Sequence, residues 1–198
     1  PNATVTIVGT KLESSGPLLI THWGMSGPAI LKLSAFGARI LADKNYQYNV
    51  QVNWLSRPTD KIATVLQSIK KKEPKKTVIL KSQFSEIPKR LWERLVVASD
   101  ISETHKWADL SNDHIEKLAN QLTNGVFNAN GKSTFKEEFV TAGGIDLKEI
   151  NFKRFESKIH PNLFFVGEIL NIDAVTGGFN FQNAWTGGFI AAKAIAED

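Results

Sequence analysis

Nine consecutive residues, Tyr46 to Trp54, alternate without a break. Tyr46, Tyr48, Val50, Val52 and Trp54 fall on one side, and Gln47, Asn49, Gln51 and Asn53 on the other. A period of two sends successive side chains to opposite faces of a pleated strand, so this segment reads as one strand of a sheet with a wet face. The next stretch has a different period. Ile62, Val65, Leu66 and Ile69 recur at helical spacing, as do Leu91, Trp92, Leu95 and Val96 within 85–99. Ser111 caps a third helical pattern that runs to Leu122, with Gly125 just past its end.

Strand patterns return afterwards. Residues 126–128 and 133–141 flank Asn130-Gly131, a dipeptide favoured in two-residue hairpin turns. Ahead of the alternating segment, residues 3–9 alternate through Ala3, Val5 and Ile7, and a turn-rich patch from Glu13 to Pro17 leads to apolar residues 18–20. Ser26 can cap a helix running from about Gly27 to Leu41, with Pro28 in its first turn where the missing N–H does no harm. The expected class is α+β. A small sheet or barrel, β-rich over 1–54 and 126–135, carries a helical excursion at 59–122. Residues 1–135 form the expected first domain and 136–198 the second.

At 198 residues, 42% apolar and 22% charged, the chain is long enough for one good core or two small ones. No apolar run approaches the roughly 20 residues of a membrane span, so no membrane partner is expected. The first residues, PNATVTIVGT, lack the pattern of a signal peptide, and a start at Pro1 suggests an internal or trimmed stretch. With no cysteine there is no disulfide and no thiolate chemistry, which fits a cytoplasmic protein. His105, His114 and His160 show no metal-ligand spacing, so no metal is expected. The net charge is +4, and Lys70, Lys71, Lys72, Lys75 and Lys76 supply more than all of it. Lysines at a helix C-terminus sit well against the macrodipole, and residues 70–76 contain no aromatic that would stack on bases. The run therefore reads as a solvated helix end, and nucleic acid is not an expected partner. The alternative is a non-catalytic module that binds protein or nucleic acid through this lysine-rich helical region.

The chemistry concentrates in residues 163–196. Leu163 to Val166 is a continuous apolar run, as expected of a buried parallel strand, and it ends at Gly167-Glu168. A loop containing Asp173 leads to Thr176-Gly177-Gly178-Phe179-Asn180, followed by a helix whose Ala184, Gly187, Gly188, Ala191, Ala192 and Ala194 give it a very small-sided face. A Gly-Gly pair lets backbone approach a flat ligand closely, and a helix N-terminus offers unpaired N–H groups to an anionic oxygen. The same pattern also describes a tightly packed turn with no ligand. His22, between a strand and the Ser26-Gly27-Pro28 helix start, is a weak candidate general acid or substrate ligand, or else a histidine satisfied by backbone. Trp54, Trp92, Trp107 and Trp185 read as packing residues.

The stretch VTAGGIDLKEINFKRFESKIHPNLFFVGEILNIDAVTGGFNFQNAWTGG resembles the C-terminal signature of bacterial NAD(P)/FAD-dependent oxidoreductases that include aminoacetone oxidase and a bile-acid 3-dehydro reductase. GPLLITHWGMSGPAILKLS resembles the insert-domain signature of the same family. The resemblance implies an insert domain followed by the last strand–helix unit of a two-part FAD-binding α/β fold. It implies FAD as cofactor, NAD(P) or oxygen as redox partner, and hydride transfer to or from a small-molecule substrate beneath the insert. Glu168, after Gly167, would face the ribityl or pyrophosphate region, with Asp173 in the following loop. Gly177, Gly178, Phe179, Asn180 and Gln182 would lie against the flavin edge. Trp23 and the Thr141-Ala142-Gly143-Gly144 turn would border the substrate pocket. Family members also carry an N-terminal strand and G-x-G-x-x-G turn, which these residues lack. The missing FAD-binding segment of the same polypeptide is therefore an expected partner. Alone, the fragment is expected to hold FAD weakly or not at all and to be inactive.

Overall fold

The structure is a computed structural model that describes residues 2–132, 140–175 and 177–197. It divides into two compact units, one of residues 1–33 and 46–131, the other of residues 34–45 and 132–198.

The first unit is built on an antiparallel sheet of β1 (Asn2–Ile7), β2 (Glu13–Pro17), β5 (Gln47–Asn53) and β6 (Gly125–Asn130), in the order β2-β1-β5-β6. Two further strands, β3 (Leu19–Ile20) and β4 (Met25–Ser26), form a small ribbon that leads into α1 (Pro28–Asp43), whose residues from Ser34 group with the second unit. The alternation in β5 behaves as its pattern dictates: Val50, Val52 and the following Trp54 are buried, and Val5 of β1 pairs with Val52. Between β5 and β6 come the helices α2 (Thr59–Lys72), α3 (Lys89–Val97) and α4 (Asn112–Thr123). Ser111 caps α4 by accepting the backbone N–H of His114 at 3.1 Å. Ile62, Leu66, Trp92, Leu95, Ile115, Leu118 and Leu122 are all buried, and the indole N–H of Trp92 donates to the carbonyl of Val78 at 2.9 Å.

Two expectations change here. Glu13–Pro17 is an edge strand paired with β1, and the turn lies before it. Its polar sequence suits an edge, where Ser15 meets Thr4 through their hydroxyls at 2.9 Å and Pro17 need donate no ladder hydrogen bond. The 85–99 helix is shorter than its pattern, because Pro88 takes the N-cap position. Most of the expected 133–141 strand lies outside the described residues.

The second unit contains the ribbon β7 (Ile150–Asn151) and β8 (Glu156–Ser157), single 3-10 turns at Leu147–Glu149 and Gly167–Ile169, and α5 (Gly178–Ala196). Its core gathers Ile150, Phe155, Leu170 and Ala191, with Ile145, Phe164, Phe165 and Ile190 packed against them. Leu163 to Val166 is not a buried parallel strand. Phe164 makes one antiparallel bridge to Glu156, and Leu163 and Val166 are exposed. A strand exists only where neighbours take up its backbone groups, and among the described residues no parallel neighbour flanks this run. The helix of this unit also begins earlier than the small-residue pattern suggests, so Phe179, Asn180 and Gln182 lie in its first turns and not in the loop. Among the described residues no helix is long and apolar enough to cross a membrane.

Candidate functional site

The start of α5 and the loop before it form one braced element. Asn180 Oδ1 accepts the backbone N–H of Ala174 at 3.0 Å, and its Nδ2 donates to the Ala174 carbonyl at 3.1 Å. Both ends of the amide are thus used to hold the loop to the helix. Upstream, Arg39 on α1 bonds the side-chain oxygen of Asn171, and its guanidinium lies 3.9 Å from Asp173 Oδ1. The same guanidinium thus approaches both Asn171 and Asp173 of the loop.

The Gly143-Gly144 turn lies beside the same loop. The N–H of Ile145 donates to the Ile169 carbonyl at 2.9 Å, and the N–H of Asn171 donates to the Ile145 carbonyl at 3.0 Å, which makes a short parallel pairing. Gly144 must be glycine for this: its φ is +134°, and a Cβ there would come within 2.5 Å of the Ile169 carbonyl oxygen. The two glycine motifs singled out in the sequence, 143–144 and 177–178, thus both adjoin the segment 169–174.

The glycines of the second unit have different causes. Gly187 is demanded by the ring of Phe155. Gly143, Gly167 and Gly177 have φ of +121°, +75° and +140°, where a side chain is strained. Gly178, like Gly188 further along α5, has neither reason among the described residues. Its backbone is helical, and a Cβ there would meet nothing within 4 Å. It opens α5, whose N-cap is Gly177, a residue with no side chain to accept a first-turn N–H.

The remaining candidates are exposed. Glu168 faces solvent without a hydrogen-bond partner among the described residues, Thr141 is exposed, and Phe179 is 68% exposed. Gln182 donates along its own helix to Thr186 Oγ1 at 2.9 Å. His22 and Trp23 are exposed residues of the first unit, next to a turn closed by Thr21 and Gly24. Among the described residues no cluster of three His, Cys, Asp or Glu side chains could hold a metal.

Trp185 is not a packing residue. It is 69% exposed and stacks on Phe181 at 6.0 Å, with Phe189 one further turn along, so α5 carries an aromatic stripe open to water. The spacing of Phe181, Trp185 and Phe189 was visible in the sequence, whereas the bracing by Arg39 and Asn171 joins residues more than 130 positions apart and left no local signal.

Comparison with known proteins gives this fold and site a context. A family model described as "HI0933-like protein barrel and H2TH domain" matches residues 1–140. The chain is 30% identical over 182 residues to a ribosomal RNA dihydrouridine synthase of Haemophilus influenzae, covering 90% of this chain and 42% of that protein. It is 30% identical over 177 residues to a ribosomal RNA dihydrouridine synthase of Escherichia coli, covering 89% and 41%. It is 27% identical over 187 residues to a 3-dehydro-bile acid delta(4,6)-reductase of Clostridium scindens, covering 93% and 45%. The chain therefore spans less than half the length of these relatives.

Proposed function

This chain belongs to the HI0933-like barrel and H2TH domain family, and on that premise we propose that it is the C-terminal portion of a flavin-dependent oxidoreductase. Bound FAD would supply hydride transfer to a carbon–carbon double bond conjugated to a carbonyl. Two kinds of relative support that substrate class, because a dihydrouridine synthase and a bile-acid delta(4,6)-reductase both, by name, saturate such bonds. A uracil ring presented by RNA is the substrate that two of the three relatives favour. A reduction of this kind consumes an external reductant, for which a nicotinamide nucleotide is the suitable class, and a cytoplasmic location suits both. The remainder of the flavin fold would cover the aromatic stripe of α5 and hold the pyrophosphate.

The single observation that carries the cofactor assignment is Gly178. Among the described residues no packing or backbone strain requires a glycine there, which fits a flat group approaching the start of α5 from outside. Gly177 and Gln182 would border the ring edge with Phe179, and Glu168 would face the ribityl or pyrophosphate region. Gly143 and Thr141 would lie towards the substrate. Asn180 and Asp173 serve differently in this reading. Their side chains fix the loop that carries the contact.

The test is Gly178→Val in the full-length protein. Flavin affinity should fall by about 5- to 150-fold, the equivalent of about 1–3 kcal/mol, while the thermal midpoint of the flavin-free protein stays unchanged. Full flavin content and turnover in that variant would make the glycine loop a packing device and defeat the assignment.

A further inference from the structure

Beyond the end of α2 the chain forms an open hollow of about 300 Å³, lined by Glu73, Lys75, Lys76, Thr77, Lys81 and Gln83 among others. The lysine run alone reads as a helix end facing its dipole. That account covers Lys70, Lys71 and Lys72 in the last turn, but α2 stops at Lys72, and Lys75, Lys76 and Lys81 lie past it. The fold also sorts the lysines. Lys70 donates to the carbonyl of Leu110, and Lys76 pairs with Glu73 at 2.7 Å. The other oxygen of Glu73 accepts from Gln83 at 3.1 Å, so the hollow's one carboxylate is already occupied. Lys71, Lys72, Lys75 and Lys81 have no hydrogen bond or salt bridge among the described residues and all four are exposed, although the charge of Lys81 is felt by Glu73.

We propose that this hollow and the adjoining last turn of α2 form a docking surface for the phosphate backbone of RNA, with Lys75 and Lys81 lining the hollow and Lys71 and Lys72 on the helix end as its exposed charges. The proposal rests on the reading of the protein as an enzyme acting on a uracil ring within RNA, and it supplies what the start of α5 lacks, a grip on the polymer. Phosphate contacts fix register without reading sequence, so flexible lysines suffice and base-stacking aromatics are not required. Leu80 is the only large apolar side chain exposed at the rim among the lining residues, too little apolar surface for insertion into a lipid layer.

The experiment compares three forms of the full-length protein for binding to a labelled stem-loop of ribosomal RNA across a salt series. The native form should bind with a steep salt dependence. Replacing Lys71, Lys72, Lys75 and Lys81 together by Gln should lower affinity at least tenfold and reduce the slope of log K against log salt by about 3, and replacing them by Arg should restore both. Replacing the exposed Lys11, Lys61, Lys148 and Lys153 by Gln removes the same charge elsewhere and should leave binding within about twofold of native. Equal loss in the two Gln sets, no loss in either, or binding to anionic phospholipid vesicles in place of RNA would overturn the proposal. Flavin content and reduction of a free small enone are measured in the same preparations. Failure of those with RNA binding still lost in the patch variant sinks the oxidoreductase reading and keeps the docking surface; the reverse pattern sinks the surface alone.

Discussion

The ring of Phe155 fills the space beside Gly187 in which any side chain would have to sit: a Cβ there would come within 2.8 Å of Cε1. Phe155 is itself held at a φ of +59° and is buried, so its ring has little freedom to withdraw. Helix propensity alone would make Gly187→Ala stabilising by about 0.5–1 kcal/mol, and overpacking of about 1–3 kcal/mol opposes it. Gly187→Ala should therefore lower the thermal midpoint. Gly188→Ala, where a Cβ meets nothing within 4 Å, should raise it by about 2–4 °C. Calorimetry of the two variants checks the pair, and equal shifts of the same sign would refute the packing argument.

Asn180→Ala removes both bonds to Ala174. Two partly exposed hydrogen bonds at about 0.5–1.5 kcal/mol each, offset by the better helix propensity of Ala, leave a loss of about 1 kcal/mol. The local signature is sharper than the global one. Amide exchange at Ala174 should accelerate while exchange in the middle of α5 stays unchanged, and unaltered protection at Ala174 would mean the clamp does not hold in solution.

Much of the first unit was legible because its signals are local. The alternation of 46–54 and the Ser111 cap each need only a handful of neighbouring residues, and each is found where the pattern put it. Glu13–Pro17 misled because turn-forming composition and a polar edge strand look alike until the partner strand is known. Leu163 to Val166 misled for the opposite reason. Its apolar run fits a buried strand, but strand structure is conferred by neighbours, and among the described residues it finds only the short antiparallel stretch 155–157. At the candidate site the glycine pairs stand in the sequence itself, whereas the bonds of Asn180 to Ala174 and the approach of Arg39 to Asp173 required the fold.

Two tryptophans in the first unit separate hydrogen bonding from volume. Trp92 donates its indole N–H to Val78, while the buried N–H of Trp54 has no partner among the described residues. Each replacement by Phe removes a similar volume, but Trp92→Phe also leaves a buried carbonyl unpaired. Trp92→Phe should cost about 1–3 kcal/mol more than Trp54→Phe, read from denaturant midpoints at unchanged m-value. Equal costs would show that the Val78 bond contributes nothing net.

Glu156 supplies a pH dependence. The backbone N–H of Asn162 and the guanidinium of Arg154 hold its carboxyl below the usual carboxylate range. A carboxyl whose folded value is depressed stabilises the fold wherever it is ionised in the unfolded chain, and that contribution disappears as pH falls through the folded value. Native protein should thus exceed Glu156→Gln in thermal midpoint by a constant margin above about pH 5, and the margin should shrink on acidification below about pH 4. A margin independent of pH would mean that the charge of Glu156 is not involved.

The aromatic stripe on α5 also makes the molecule its own optical gauge. Three of the five tryptophans are at most 1% exposed, and Trp23 and Trp185 are 60% and 69% exposed. Emission is consequently divided between a blue, quencher-resistant fraction and a red fraction open to iodide. Whatever comes to rest on the aromatic stripe of α5 lies over Trp185, and its arrival registers as a blue shift and a loss of iodide quenching in one of two wet indoles, with no label attached.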